Sequence, residues 1–416
     1  MIAAGAATRA VGGGAAAVRP DTATVGAGAR AVGAATRSLG AVAVTRIESR
    51  EDERDWSGLP YDLYRGDTTW VPPLRFEESR RWMRRHSASL RYRWIRRFLA
   101  RRGDRVVGRI AAIVDPEFMN RWESGCGFFG FFECESDPVA ARMLFAAAEN
   151  ALQALGMTRA IGPVNLTTHD ETGLLTDGFS SPPMILSPYN PGYYAEIIER
   201  AGYSPEREYH SYLWTPSRPI APAVRRLCAA AANGTGFAAG ITVRPLDTRH
   251  WNSEIRKFFG LYNASFEGLW GSVPIRWDEF LERAERFRPF LRPELALFAE
   301  MDGVPVGCAL TLPDANELLR RVGGRLLPFG WLELARGAGR IRSARTMILG
   351  VRPGFTGRGA AALLAHETAS ALTRLGFERA ELSLVQGGNE RMRRVIEAFG
   401  CPRLKTFRLY AKRLTP

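Results

Sequence analysis

The stretch that decides the fold runs from Thr346 to Ala361 and reads TMILGVRPGFTGRGAA. Its apolar run up to Val351 predicts a strand, and the Ala- and Leu-rich residues from Ala361 onward predict a helix. The glycine-rich turn between them leaves backbone N–H groups unobstructed at a helix N-terminus, an arrangement that binds a pyrophosphate. On its own such a turn is a weak signal, because turns need glycine for conformational reasons alone.

An internal repeat surrounds this unit. Residues 151–160 (ALQALGMTRA) match residues 371–380 (ALTRLGFERA) at an offset of 220. An upstream pair (GDRVVG and DGVPVG) and a downstream pair (ERAG and EAFG) keep the same order in both halves. Each half is therefore predicted to fold as β-β-β-α-β-α-β, with a hairpin at the first block and helices that end at a glycine in the other two. The predicted fold class is α/β (α+β), with two tandem domains that each contain a mixed central sheet flanked by helices.

Length and composition set the predicted domain boundaries. A chain of 416 residues suits two domains of ordinary size. Residues 1–43 lack the aromatic and large aliphatic content of a core and are predicted to be a disordered tail. An N-terminal domain is predicted at 44–215, a linker rich in Pro, Ala and Gly at 216–240, and a C-terminal domain at 241–416.

The net charge of +14 comes from arginine, since only Lys257, Lys405 and Lys412 among the 57 basic residues are lysines. This bias is typical of a coding sequence rich in G and C, so a nucleic-acid partner is not expected. Most of the excess lies between Arg75 and Arg109, where 13 arginines accompany Glu77, Glu78 and Asp104. That segment is predicted to be a solvated helix, with a dock for an anionic partner such as RNA as the alternative.

Cysteine, histidine and hydropathy patterns exclude other classes. The five cysteines contain no C-x-x-C and the five histidines no H-x-x-x-H, so neither a disulfide framework nor a metal site is expected. No apolar run reaches the roughly 18 residues that cross a bilayer, and no membrane partner is expected. The predicted location is a reducing, cytoplasmic compartment.

The two halves differ where an anionic ligand is expected to bind. In the first half the corresponding strand, Gly127 to Phe132, leads to Asp137 and Pro138, which are signals for an N-cap and a first helical turn. The Asp137 carboxylate satisfies that helix terminus itself and repels an anion. The second half, where Arg358 adds a cation, is therefore predicted to bind the anionic group.

From Thr346 to Arg413 the chain resembles the GNAT N-acetyltransferase superfamily. The strand, the V-x-P-x-F-x-G-R-G-A turn, its helix, the strand at 379–385 and a helix opened by Asn389 carry the resemblance. It implies acetyl-CoA, or another acyl-CoA, as co-substrate, without a metal. The implied contacts are Leu349, Val351, Thr356, Gly357, Arg358, Gly359, Ala360, Ala361 and Asn389.

Some positions depart from the superfamily pattern. Thr356 stands where the superfamily usually has Gln or Arg, and Ala361 replaces a second glycine. Ile396 stands where a tyrosine often protonates the departing thiolate, so the usual acid is missing.

Most of the chain from about residue 44 onward also resembles a smaller bacterial family with two GNAT-like halves. The matching strings include WVPP from Trp70, FFGFFE from Phe128, IGPVN from Ile161 and YNPGYY from Tyr189. This second resemblance implies the fold and leaves the substrate open.

The first half carries an insertion of 22 residues between Ala160 and Glu199, because the offset between the halves falls from 220 to 198. Its polar and aromatic residues predict one wall of an acceptor site that faces the second half; the alternative is a self-packed surface loop. Within it, His169 is predicted to be a loop hydrogen-bonding residue rather than a base. The predicted substrate contacts are Asn165, Asn190, Tyr194, Tyr262 and Asn263.

Together these features predict an acyl-CoA-dependent N-acyltransferase, with transfer of acetyl from acetyl-CoA to the amine of a small molecule or peptide by direct attack. A backbone N–H near Val351 is predicted to polarise the thioester carbonyl. Glu381 is the predicted general base, with a surface-facing strand position as its alternative. Two further hypotheses are a Fem-type transferase that uses aminoacyl-tRNA and a non-catalytic CoA-binding module.

Overall fold

A computed structural model describes residues 40–83, 86–236 and 238–415 of the chain. Most of the predicted tail at 1–43 lies outside these residues. A strand begins at Val42, two residues before the predicted end of the tail, and packs against the core of the first half.

The two halves contain corresponding series of elements. The first half contains β1 (Val42–Arg46), α1 (Arg50–Leu63), α2 (Arg75–Arg81), β2 (Trp94–Arg102), β3 (Arg105–Val114), α3 (Pro116–Arg121), β4 (Cys126–Cys134), α4 (Pro138–Gln153), β5 (Arg159–Gly162), β6 (Leu174–Asp177), α5 (Tyr194–Arg200) and β7 (Ser204–Trp214). The connecting helix is α6 (Pro222–Ala232). The second half contains β8 (Ile241–Pro245), α7 (Trp251–Ser265), α8 (Trp277–Phe287), β9 (Ala296–Met301), β10 (Val304–Pro313), α9 (Asn316–Val322), α10 (Gly330–Gly337), β11 (Ser343–Val351), α11 (Ala360–Arg374), β12 (Arg379–Gln386), α12 (Glu390–Ala398) and β13 (Arg403–Arg413).

All the strands of the described residues belong to one mixed sheet. Its order is β1-β2-β3-β4-β5-β13-β7-β12-β11-β10-β9-β8, and β6 pairs with β13 beside this path. The last strand of each half thus joins the sheet of the other half: Tyr410 of β13 lies opposite Gly162 of β5, and Trp214 of β7 lies opposite Ala380 of β12. The predicted mixed sheets flanked by helices are confirmed, and residues 40–416 form one compact unit.

Local sequence signals explain where several elements begin. Ser49 and Asp52 form a capping box at the start of α1. The backbone N–H of Asp52 donates to Ser49 Oγ, and the backbone N–H of Ser49 donates to Asp52 Oδ2. The hairpin predicted at Gly103 joins β2 to β3, and its twin at Asp302 and Gly303 joins β9 to β10. Both central residues of the second turn have positive φ, at 51° and 77°, which explains the Asp-Gly pair.

The arginine-rich segment at 75–109 is not a helix, and that prediction is wrong. It contains α2, β2 and part of β3. Several of its arginines point inward: Arg93 is only 6% exposed and donates to Asp115 at 2.8 Å and to Glu279 at 2.5 Å. Because Glu279 lies on α8, this buried ion pair joins the two halves.

The segment predicted as a linker, at 216–240, contains α6, whose Val224 is buried against the core of the second half. The domain boundaries at 44–215 and 241–416 remain predictions. In the described part of the chain, no helix is both long enough and apolar enough to cross a bilayer.

Candidate active site

The sheet of the second half opens between two parallel strands. β11 and β12 pair from Ser343 opposite Arg379 to Thr346 opposite Leu382, and the pairing ends there. One extra residue, Met347, bulges from β11 at this point, because Leu310 and Thr311 of β10 pair with Ile348 and Thr346. The two strands therefore diverge into a slot whose walls are residues 347–349 and 383–386.

The glycine-rich turn lies directly after β11 and ends at α11. Gly357 and Gly359 have φ of 83° and 88°, values that L side chains rarely adopt, so the turn requires glycine at both positions. Gly359 is the N-cap of α11 and no side chain caps this helix. The first N–H groups of α11 therefore have no acceptor within the helix, and the space beside Gly357 is open. This geometry fits a diphosphate.

The equivalent terminus in the first half is occupied by its own side chains. The N–H groups of Val139 and Ala140 donate to Asp137 Oδ1 at 3.0 and 3.1 Å, and Arg102 donates to Asp137 Oδ2 at 2.6 Å. The predicted N-cap at Asp137 is thus confirmed. An anion has neither free N–H groups nor a free cation at this terminus.

The slot of the first half is also filled. Beyond the last pair of β4 with β5, Val164 N–H donates to Phe129 O at 2.9 Å and Phe131 N–H donates to Asn165 Oδ1 at 2.7 Å. The chain approaches so closely that a Cβ on Gly130 would lie 2.1 Å from Val164 O. No pantetheine arm fits between these strands, so the second half alone has an open slot among the described residues.

The open slot leads into a cavity of about 800 Å³ that both halves line. Its walls are mainly aromatic and aliphatic side chains from α7, α8, β10, β12, α11 and α12. They include Ile255, Phe258, Phe280, Leu310, Ala365, Leu372, Leu382, Met392, Ile396 and Phe399. A cavity of this size and polarity suits a large apolar ligand.

The insertion of the first half contributes polar groups to the cavity. Residues 165–172, except Thr167, line the cavity, and His169 Nδ1 lies 2.9 Å from the Tyr262 hydroxyl of α7. This loop thus contacts the second half, and its role as one wall of an acceptor site stays a prediction. The Nε2 atom of His169 is buried and has no hydrogen-bond partner among the described residues.

Burial and the nearby Arg283 guanidinium lower the pKa of His169 to about 4. The imidazole is therefore neutral at neutral pH. When Nδ1–H donates to Tyr262, Nε2 carries the free lone pair.

Two carboxylates flank this imidazole. Asp170 accepts from Arg283 at 2.8 Å and from Thr167 Oγ1 at 2.9 Å. Although burial opposes it, the Arg283 ion pair lowers the pKa of Asp170, so the carboxylate stays ionised. Glu171 accepts from Asn165 Nδ2 at 2.9 Å. Both carboxylates line the cavity, and Arg81, Arg283 and Arg345 line it as well, so the polar part of the wall carries charges of both signs.

The predicted cofactor contacts are distributed around the slot and the turn. Leu349 and Asn389 line the cavity, and Asn389 also caps α12 by accepting from Met392 N–H at 3.2 Å. Val351 packs against the core near Leu363. The positions at 356–361 form the exposed turn and the first residues of α11.

The structure does not place Glu381 with the cavity-lining residues. This side chain is fully buried and accepts from Lys405 Nζ at 2.9 Å, while Lys405 also donates to Pro182 O at 2.8 Å. Its surface-facing alternative is wrong, since Glu381 is 0% exposed. Its role as a base remains a prediction, but the cavity favours His169.

The predicted substrate contacts separate into two groups. Asn165 and Tyr262 line the cavity. Asn190 instead holds Leu175 through both its amide atoms, Tyr194 donates to Glu133 at 2.8 Å in the core of the first half, and Asn263 bonds the backbone of Ile275. The last three are not among the cavity-lining residues.

Two features of the cavity were not predicted from the sequence. His169 was predicted only to form a hydrogen bond within its loop, and the ion pair of Asp170 with Arg283 across the two halves was not predicted. The polar insertion was the available signal for both. Ile396 lines the cavity at the position of the missing tyrosine. Within the described ranges, no group of three or more His, Cys, Asp or Glu side chains is arranged to hold a metal.

The open slot, the uncapped helix terminus and the duplicated sheet form a fold like that of tandem GNAT proteins. Solved structures agree. A GCN5-related N-acetyltransferase from Sphaerobacter thermophilus has a TM-score of 0.50 and 15% identity, over 90% of this chain and 96% of its own. A tandem GNAT protein from the clavulanic acid biosynthesis pathway has a TM-score of 0.51 and 13% identity, over 90% and 99%.

Sequence relatives narrow the assignment. The chain is 30% identical over 383 residues to the bacterial ceramide synthase of Caulobacter vibrioides, which covers 90% of this chain and 98% of that protein. It is 27% identical over 376 residues to protein YghO of Escherichia coli, over 88% of this chain and 94% of that protein. No family model matches the chain. The chain belongs to the family of the bacterial ceramide synthase.

Proposed function

We propose that the protein transfers a long-chain acyl group from an acyl-CoA to the amine of a long-chain amino alcohol. The observation that carries this proposal is the apolar cavity of about 800 Å³ that continues from the slot between β11 and β12. A ceramide is the amide of a fatty acid with a long-chain amino alcohol. The ceramide synthase relative therefore supports both a fatty acyl donor and a lipid amine acceptor.

The turn and the slot divide the binding of the donor between them. The uncapped N–H groups of α11 bind the diphosphate of CoA, because the helix terminus is positive and open. The slot aligns the pantetheine arm between β11 and β12. The apolar side chains of α11 and α12 then provide a dry environment in which every buried methylene adds roughly 0.8 kcal/mol of binding free energy.

His169 is the proposed general base. Its neutral imidazole takes the proton that the amine loses as the C–N bond forms and the C–S bond of the thioester breaks, and the imidazolium then returns this proton to the departing CoA thiolate. Tyr262 holds the ring through Nδ1. The amine reacts in its neutral form, because only a free lone pair on nitrogen attacks the thioester carbonyl. Thus the first half supplies the proton acceptor and the second half supplies the donor site.

The proposal is tested with purified protein, a series of acetyl-, octanoyl- and palmitoyl-CoA, and a panel of amines. The panel contains sphinganine, a polyamine and a peptide with a free N-terminus. Release of CoA and the mass of the amide product are measured. We expect palmitoyl-CoA with sphinganine to give the highest kcat/KM.

Preference for acetyl-CoA with a water-soluble amine would overturn the lipid assignment and favour the acetyltransferase that the sequence predicts. Tight binding of CoA without transfer to any amine would favour a non-catalytic module.

A further inference from the structure

An exposed apolar loop joins α9 to α10 in the second half. Leu327, Phe329 and Trp331 lie within five residues, and their exposed fractions are 79%, 74% and 54%. Large apolar side chains in such a cluster mark a surface that binds a protein or a membrane. We call residues 323–331, which include the first two residues of α10, the apolar loop.

Arginines flank the apolar loop in the sequence. Between residues 320 and 342 the chain has six arginines and a single acidic residue, Glu333, which pairs with Arg321 at 3.1 Å. The arginines are Arg320, Arg321, Arg325, Arg336, Arg340 and Arg342, and all six are exposed. Exposed Leu, Phe and Trp flanked in sequence by exposed arginines is the pattern of an element that lies in the interface of an anionic bilayer.

The apolar loop is also bonded to the rim of the cavity. Arg75 N–H donates to Gly324 O at 3.1 Å, and a Cβ on Gly324 would lie 2.7 Å from Pro73 O. Pro73 and Phe76 line the cavity, and Phe76 is itself 43% exposed. The loop therefore lies next to residues that line the cavity.

We propose that the apolar loop docks the protein on an anionic phospholipid surface. Leu327, Phe329 and Trp331 insert at the level of the acyl chains, and the arginines contact the phosphate groups. The argument rests on the loop and its charges, so it stands independently of the acceptor chosen above. It replaces the expectation that the protein has no membrane partner.

The test is co-sedimentation of the full chain with vesicles of phosphatidylcholine, with and without phosphatidylglycerol. We expect binding to the anionic vesicles that weakens at high salt. The variant Leu327→Ser/Phe329→Ser/Trp331→Ser should lose at least about ten-fold in partition, since it removes the inserted side chains. Replacing Arg320, Arg325 and Arg340 by Gln should cost roughly five-fold for each arginine that reaches the surface.

The matched control is Leu155→Ser/Val304→Ser, which removes two exposed apolar side chains far from the loop in sequence, with exposed fractions of 42% and 52%. It should bind vesicles as the wild type does. Unchanged thermal unfolding of every variant excludes misfolding as the cause of a loss.

Three outcomes would overturn the proposal. The wild type and the triple Ser variant sediment equally with the vesicles, or neither protein binds them. In the third outcome the wild type binds no vesicles but forms a dimer in solution that the triple Ser variant does not form, because a second copy then covers the loop. Acyl transfer measured in detergent micelles separates this surface from the proposed function. The triple Ser variant should retain acyl transfer in micelles while it loses vesicle binding. If no acyl transfer is found in either protein, the loss of vesicle binding still supports the docking surface.

Discussion

Substitution of Ala361 by Glu tests whether the uncapped terminus of α11 binds the diphosphate of CoA. Ala361 is the second residue of α11, next to the N–H groups that no side chain caps. A Glu carboxylate there adds one negative charge beside the bound phosphates. At a separation of about 6 Å, repulsion between two unit charges is roughly 0.7 to 3 kcal/mol for effective dielectric constants between 80 and 20. The dissociation constant for CoA should therefore rise about three- to hundred-fold.

The same substitution should not weaken the fold. A carboxylate in the first turn of a helix interacts favourably with the helix dipole, by about 0.3 to 1 kcal/mol. The unfolding temperature of the Ala361→Glu variant should equal or slightly exceed that of the wild type. A loss of CoA affinity in a protein of unchanged stability is then an electrostatic effect at the site, and high salt should reduce it.

Two control variants make this prediction specific. Ala361→Gln has the size of the Glu variant without its charge and should bind CoA nearly as the wild type does. Val139→Glu places the same charge at the second residue of α4, the equivalent position in the first half. Isothermal titration calorimetry with CoA measures all three. The reasoning is refuted if Ala361→Glu binds CoA normally, or if Val139→Glu is the variant that weakens binding.

The remaining predictions concern buried charges and the proposed base. His169→Gln should lower kcat by about a hundred-fold or more while leaving the dissociation constant of CoA unchanged, in stopped assays of product formation; equal turnover would exclude His169 as the base. Because the pKa of His169 is about 4 in the folded protein and near 6.5 in the unfolded chain, the unfolded chain binds more protons between these values. The free energy of unfolding should fall by up to about 3 kcal/mol as pH drops from 6.5 to 4, and urea titrations of His169→Gln should show a smaller fall. Lys405→Met leaves the buried Glu381 carboxylate without its ion pair and should destabilise the fold by about 3 to 5 kcal/mol, with Glu381→Gln restoring part of the loss. Glu381→Gln alone also breaks this ion pair and should lower the free energy of unfolding. The folded variant should keep its turnover, and a loss of kcat in the folded variant would support the predicted role of Glu381 as a base.

The elements around the glycine-rich turn after β11 were predictable because each one depends on local sequence signals. The strand that ends at Val351, the helix that starts at Ala360 and the cap at Asn389 follow from glycine and Asn at positions that demand them. The cap at the equivalent helix of the first half was also predictable from local sequence, because an Asp directly before a Pro is a typical signal for a helix N-terminus.

The exchange of the terminal strands was not predictable from the repeat. The pattern indicates a strand after each last helix, but β7 and β13 carry no local signal that assigns them to one sheet or the other. Their partners are set by packing between halves that are distant in sequence. The arginine segment failed for a similar reason: Arg93 is buried because Glu279, 186 residues away, neutralises it.

The candidate site was predictable only in the part that a single half builds. The turn and the slot belong to the second half, and sequence reasoning located both. The apolar cavity and the pairing of His169 with Tyr262 require an insertion in one half to meet a helix of the other. A base chosen from the second half alone, Glu381, could not take account of that contact.

The filled slot of the first half explains why both halves persist in one chain. This half lacks the open terminus and the gap between strands that are proposed to bind CoA, because Asp137 and Asn165 occupy those places. It nevertheless pairs β7 with β12 along one wall of the open slot, at Leu382 opposite Tyr212. It also contributes His169 to the cavity. Deleting the first half therefore removes the strand that supports the slot together with the proposed proton acceptor, so the second half is not expected to act alone.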